Sequence, residues 1–317
     1  MKVFITREIP EIAFTLLRKN KIPFDYYKED KPIPRKLLLK KVKDCYALIS
    51  LLTEKIDKEL IDEMSNCKII ANYAVGYNNI DINYAKKKKI IVTNTPDVLT
   101  ESTADLTMTL ALCCARRIIE GEKLLRNGNF KGWKPKLLLG TELKNKNFGI
   151  IGAGRIGSAV AIRAKSFSTK IIYYDSKRNL SLENKTDAKR VSLKKLLTES
   201  DFISIHLPLN DKTYHFINKD KLKLMKRSVI LINTSRGEVI DENSLIRSLK
   251  NKRLKAVGLD VFENEPKISS ALLKFPNVLV IPHLGSATKE ARDGMAILAV
   301  TNVINVLKRK PPLTPVF

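Results

Sequence analysis

Three residues in the last third of the chain have the types and settings that proton transfer on a small anion requires: Arg236 in NTSRGEV, Glu265 in VFENEP and His283 in IPHLGSAT. A histidine exchanges a proton near neutrality, and a carboxylate on its second ring nitrogen orients the ring and favours its protonated form. A guanidinium binds a carboxylate or carbonyl through two parallel N–H bonds, each charge-assisted bond contributing about 1.5 to 3 kcal/mol. Singly, each has an ordinary alternative. Arg236 is one of 58 basic residues, and a lone histidine at a strand end often only fills space. Their shared placement favours chemistry, because all three follow apolar runs that read as strands, and α/β proteins carry reactive groups on the loops at strand ends.

The elements that must position them begin with FGIIGAGRIG, Phe148 to Gly157. An apolar run opens into Gly152, Gly154 and Gly157, spaced GxGxxG, and a helical pattern follows. The first glycine permits a tight turn, the second lets backbone approach phosphate, and the third lets helix and strand pack closely; the pyrophosphate of a dinucleotide then rests on the helix N-terminus. KIIYYD, ending in Asp175, reads as the next strand, with its carboxylate placed for ribose hydroxyls. That carboxylate would repel a 2′-phosphate by about 4 kcal/mol at an effective dielectric of 20, favouring NAD(H), while the adjacent Lys177 and Arg178 keep NADP(H) as the lesser alternative. Of the remaining histidines, His206 reads as a strand-end residue near the nucleotide and His215 as a surface side chain.

Upstream, KVFIT, PFDYY, CYALIS, KIIANY and IIVTN alternate with amphipathic stretches, which implies βαβ units and a parallel sheet before the glycine motif is reached. Downstream, DFISIHLPL, RSVILINTS, KAVGLDVF and NVLVIPH give a second doubly wound sheet. Between them TPDVLTESTADLTMTLALCCARRIIEGEKLL reads as one long helix to about Leu125, with Leu106 and Leu110 on its apolar stripe and a capping-box start at Ser102 and Asp105. Its apolar surface suits either the monomer core or a subunit interface. A last helix spans Thr288 to about Leu307.

At 317 residues the chain can hold two cores, and no segment has the length of a signal sequence or a membrane span, so a cytoplasmic protein without a membrane partner is expected. Cys45, Cys67, Cys113 and Cys114 lack metal-ligand spacing; reduced thiols and no metal are expected. The net charge of +25 would concentrate anions, but the basic residues are dispersed, Lys86 to Lys89 reads as a solvated helix end, and no RNA-binding platform is present.

ANYAVGYNNID, ESTADL, GIIGAGRIG, LINTSRGEVID, GLDVFENEP and PHLGSAT together resemble the D-isomer-specific 2-hydroxyacid dehydrogenase family across almost the whole chain, and the run from VLTESTAD through GWKPKLLLG is most similar to glyoxylate and hydroxypyruvate reductases. The resemblance implies a Rossmann NAD-binding domain, 97–287, inserted into a flavodoxin-like substrate domain, 1–96 and 288–317. It implies His283 as acid/base, Glu265 as its partner, and Arg236 as the anchor of substrate. Val75 and Gly76 would bind the substrate carboxylate through backbone groups. The implied coenzyme set comprises Thr103, Gly152, Gly154, Arg155, Ile156, Gly157, Asp175, His206, Pro208, Thr234 and Asp260. Trp133 would reach the substrate pocket of a neighbouring subunit of a homodimer, core packing being its alternative. Leu51, Tyr73 and Trp133 are expected to set pocket size, and the cleft between domains is expected to hold the active site. Glutamate at 265 sets the chain apart from the related formate dehydrogenases, which carry glutamine. Phosphoglycerate dehydrogenases and NAD-sensing corepressors of similar sequence remain as alternatives.

Overall fold

Short apolar runs separated by amphipathic ones fold into strands and helices throughout. In the computed structural model, which describes residues 2–317, the strands form two parallel sheets. The first contains β1 (Lys2–Ile5), β2 (Phe24–Tyr26), β3 (Cys45–Ser50), β4 (Ile69–Asn72) and β5 (Ile91–Thr93), in the order β2-β1-β3-β4-β5. The second contains β6 (Asn147–Ile151), β7 (Lys170–Tyr174), β8 (Lys189–Arg190), β9 (Phe202–Ile205), β10 (Ile230–Asn233), β11 (Ala256–Leu259) and β12 (Val278–Val280), in the order β12-β11-β10-β9-β6-β7-β8. These are the flavodoxin-like and Rossmann orders. The chain divides accordingly into one unit running up to Leu99 and resuming at Ala287–Phe317, and a second unit, Thr100–Ser286.

Strands covered on both faces read as nearly continuous apolar runs, and β9, β10 and β11 are buried throughout. Sequence neighbours then enter opposite cores. Phe148, Ile150, Phe202 and Ile232 pack with the helices Thr100–Arg116 and Arg155–Ser166 on one face, while Ile151, Ile203, Leu231 and Val257 fill the other. The first unit has its own core around Phe4, Leu48, Ile56, Leu60 and Ile70, to which the C-terminal segment adds Val316.

Three expectations about helices need correction. The long helix ends at Arg116, and a second, Ile118–Arg126, begins after Arg117, whose φ of 55° reverses the backbone. No Gly or Pro marks the break; the Arg117 guanidinium instead clasps Glu120 through two bonds of 2.9 and 2.7 Å. The capping box does not form. Ser102 lies inside the helix and donates to the Gly285 carbonyl at 2.8 Å, and Asp105 pairs with Arg163. The buried stripe runs through Thr103, Thr107, Leu110, Ala111 and Cys114, with Leu106 only half-buried. The final helix, Lys289–Leu307, does carry its cap: the Thr288 hydroxyl accepts the Ala291 N–H. Among the described residues no helix is long and apolar enough to cross a membrane and no side-chain cluster could hold a metal ion; all four cysteines are free thiols.

Candidate active site

The second sheet reverses its order between β6 and β9, and ligands of open α/β sheets bind at such a switch point beyond the carboxyl ends of the strands. The glycine loop lies there. Gly152 has a φ of 93°, and a Cβ on it would come within 2.8 Å of the His206 carbonyl oxygen. A Cβ on Gly157 would collide with the Gly152 carbonyl. Gly154 differs: a Cβ there meets nothing within 4 Å, so its backbone faces open space at the N-terminus of the helix Arg155–Ser166. That opening has room for a pyrophosphate at a helix N-terminus, and the residues fit a dinucleotide.

Asp175, at the end of β7, accepts the Ala153 N–H at 2.8 Å, tying the acidic strand end to the glycine loop. Asn179 braces the same loop. Its amide donates to the Ala153 carbonyl at 2.8 Å and to the Ser158 hydroxyl at 3.1 Å, and its Oδ1 caps the helix Leu180–Thr186. His206 follows β9, with Nε2 2.7 Å from the Ser204 hydroxyl, and desolvation pushes it down to about 3, so it stays neutral.

The three proton-transfer candidates converge on adjacent loops of this sheet. After β10, Asn233 binds the Arg236 carbonyl at 2.8 Å and receives the Ser235 N–H at 3.0 Å, closing a turn. Gly237 then passes so close under Phe262 and Glu263 that a Cβ would overlap their backbone. Arg236 donates to the Ser235 carbonyl at 2.7 Å; burial weakens its guanidinium as an ionised group, opposed by the nearby charges of Glu265 and Glu238. Glu265 accepts the Phe262 N–H at 3.0 Å through Oε1 and faces His283 Nδ1 at 2.9 Å through Oε2. Burial would push the Glu265 carboxyl up, but the hydrogen bond and charge of His283, the Phe262 N–H and Arg236 outweigh it and hold it below the usual glutamate value. With Nδ1 committed to Glu265, Nε2 is the nitrogen left to exchange a proton.

Asp260 fixes the histidine loop. Its two carboxylate oxygens accept the N–H groups of Leu284 at 2.5 Å and Gly285 at 2.8 Å, its carbonyl accepts that of His283 at 2.9 Å, and His283 itself holds a φ of 52°. Fully buried, its carboxyl is pushed up to about 6 against those bonds.

The chain that carries this arrangement has clear relatives. Residues 108–285 match the model of the D-isomer specific 2-hydroxyacid dehydrogenase NAD binding domain, more than half of the chain. The chain belongs to the D-isomer-specific 2-hydroxyacid dehydrogenase family. It is 50% identical over 315 residues to a glyoxylate reductase of Thermococcus litoralis, covering 98% of this chain and 95% of that one. Among solved structures, a protein of Thermus thermophilus superposes with a TM-score of 0.94 at 38% identity over the whole of both chains. The NADPH-dependent glyoxylate/hydroxypyruvate reductase of Sinorhizobium meliloti, solved with NADP and malonate, gives 0.87 at 30% identity over 99% of this chain and 96% of that one. The chain is therefore an NAD(P)-dependent dehydrogenase with an NAD-binding domain.

Other sequence candidates of this dehydrogenase fall in several settings. The Thr103 hydroxyl donates to the Gly285 carbonyl at 3.0 Å, and Thr234 shares a 2.8 Å bond with Thr107, so both hydroxyls are engaged within the protein. Pro208, Arg155 and Ile156 lie on the strand-end loop and first helical turn that flank that opening. Trp133 is 83% exposed, which removes core packing as its role within this chain. Tyr73 is not an open pocket side chain: it is buried, its hydroxyl donating to the Arg292 carbonyl at 2.8 Å, and burial pushes it up to about 12. In the first unit, Val75 and Gly76 follow β4, their carbonyls held by the side chains of Asn94 and Asn72 at 2.8 Å each. Sequence reasoning missed Asn179 and the His215–Glu263 pair, 2.8 Å apart, which ties down the chain two residues before Glu265. Helix-capping preference was the available signal for Asn179; His215 offered none, because its partner lies 48 residues away.

Proposed function

We propose that this dehydrogenase reduces a small 2-oxo acid, glyoxylate or hydroxypyruvate, to the corresponding D-2-hydroxy acid with NADH. The reading rests above all on the Glu265–His283 bond of 2.9 Å, which fixes one ring nitrogen and leaves the other for chemistry. Arg236 binds the substrate carboxylate and stabilises the charge that develops on the carbonyl oxygen. The bound coenzyme supplies the hydride. His283, as imidazolium, gives its Nε2 proton to the forming alkoxide, and Glu265 stabilises the charge it carries beforehand; oxidation requires the neutral ring.

NADH is preferred because Asp175 stands at the end of β7 with its carboxylate fixed by the Ala153 N–H, where a 2′-phosphate would meet a negative charge. We also propose a homodimer. The helix Ile118–Arg126 has no buried residue, and Ile118, Leu125, Phe130, Trp133 and Leu139 are exposed along one stretch of chain, an apolar surface suited to a second copy. On this reading Trp133 reaches the partner's substrate pocket. Coenzyme oxidation measured with glyoxylate, hydroxypyruvate and a series of larger 2-oxo acids tests the function: turnover confined to the two small acids is expected, and absence of turnover with both overturns it.

A further inference from the structure

A groove of about 290 Å³ lies beyond β7, lined by Asp175, Lys177, Arg178, Asn179 and Leu180. A charge count suggests that this groove should welcome a 2′-phosphate, since Lys177 and Arg178 border it and Arg190 reaches the same loop. The hydrogen bonds say otherwise. Arg178 presents Nε and Nη2 to Glu183, with bonds of 2.9 Å and 2.7 Å to Oε2 and a third, of 3.1 Å, from Nε to Oε1. Glu183 is itself fixed: its Oε1 accepts the Tyr173 hydroxyl at 2.6 Å, and that hydroxyl accepts the Asn179 N–H at 2.9 Å. Only 14% of the Glu183 side chain is exposed, against 65% of Arg178. Arg190 spends its guanidinium on the carbonyls of Asp175 and Ser176, at 3.0 and 2.9 Å.

We propose that Glu183 is a specificity-determining residue of the coenzyme site, holding the Arg178 guanidinium in a fixed fork and so denying a 2′-phosphate its planar cationic partner. The proposal rests on the NADH preference argued above. Asp175 repels the phosphate, and Glu183 withholds the group that would compensate. Two carboxylates, one at the end of β7 and one on the following helix, thus act together on a single phosphate position. Glu183→Gln tests this with little change of shape, because the amide carbonyl still accepts the Tyr173 hydroxyl while the charge that grips Arg178 is gone.

Dissociation constants for NADH and NADPH, measured by quenching of protein fluorescence, give a readout independent of turnover. Glu183→Gln is expected to tighten NADPH binding about tenfold, the effect of one charge-assisted bond, and to leave NADH binding nearly unchanged. The gain should multiply in an Asp175→Ser background and vanish when Arg178→Ala is added. The wild-type ratio of the two constants tests the coenzyme preference by itself; the change of that ratio on substitution tests Glu183, so the two fail separately. A ratio that does not move in either background overturns the proposal, as does a gain that survives Arg178→Ala. Should Glu183→Gln lose NADH binding through misfolding, Arg178→Ala alone decides: it must leave NADPH binding unaltered, and weakened NADPH binding refutes the withholding of Arg178.

Discussion

Glu265→Gln changes one atom of a carboxylate that accepts from His283 Nδ1 at 2.9 Å and from the Phe262 N–H at 3.0 Å. An amide offers one acceptor where two were used. If its carbonyl stays on Phe262, the NH2 faces Nδ1 and needs a lone pair there, which moves the ring proton to Nε2 and opposes the imidazolium. If the carbonyl turns to His283, the Phe262 N–H loses its partner, at about 1–3 kcal/mol. Either way the negative charge beside the ring is gone. The pair is partly open to solvent, with 28% and 30% of the side chains exposed, so the interaction is that of a screened, charge-assisted bond. About 1.5 to 3 kcal/mol for such a bond corresponds to roughly 10- to 100-fold in rate. The kcat/KM for 2-oxo acid reduction should therefore fall by that factor while the fold is kept. Initial rates of NADH oxidation, with thermal melts as a check on folding, measure this. An undiminished kcat/KM in a variant that melts as the wild type does would refute a charge role for Glu265.

Gly154→Ala should leave the melting temperature of the coenzyme-free protein unchanged, since the methyl meets no atom within 4 Å, yet diminish the stabilisation given by saturating NADH, about 2.7 kcal/mol at a hundredfold excess over Kd. Gly157→Ala should do the reverse, costing about 1–3 kcal/mol without coenzyme through its clash with the Gly152 carbonyl; melts with and without NADH separate the two. Asp260 gives a pH signature. With its carboxyl raised from 3.8 to about 6, the folded chain holds a proton in that interval that the unfolded chain has lost. Its contribution to stability therefore falls as pH rises through the interval, by at most about 3 kcal/mol. Denaturant titrations should find Asp260→Asn less destabilised relative to wild type above this interval than below it, and an equal difference at both pH values would count against a raised carboxyl. Arg236→Lys keeps a charge but loses the two-pronged contact, and kcat/KM for reduction should fall about 10- to 100-fold, with no loss refuting the anchor.

What the sequence made legible follows from how local each signal is. The parallel sheets were readable because buried strands such as ILIN and FISI are apolar at three of four positions, and the glycine turn because Gly152 and Gly157 satisfy steric demands that only glycine meets. Glu265 and His283 could be paired in advance because both follow strands of one sheet. What escaped depends on partners distant in the chain. Ser102 resembles a cap, but its hydroxyl goes to a carbonyl 183 residues away, and Tyr73 resembles a pocket side chain, but its hydroxyl is taken by residue 292. The reversal at Arg117 has no glycine to announce it, and Arg178 counts as a free cation until Glu183 is seen to grip it.

The bonds from Ser102 and Thr103 to the Gly285 carbonyl join the two ends of the second unit. That closure bears on how the chain is assembled. The first unit is built from segments far apart in sequence, and closing a flexible loop of nearly two hundred residues would cost about 4–5 kcal/mol in chain entropy beyond a length-independent constant. The second unit is continuous and carries its own buried cores. Once folded, it presents its beginning and its end as one seam, and the helix Lys289–Leu307 is delivered to the first sheet as though by a short connection. The bonds to Gly285 thereby hold together the two ends of the segment inserted into the first unit.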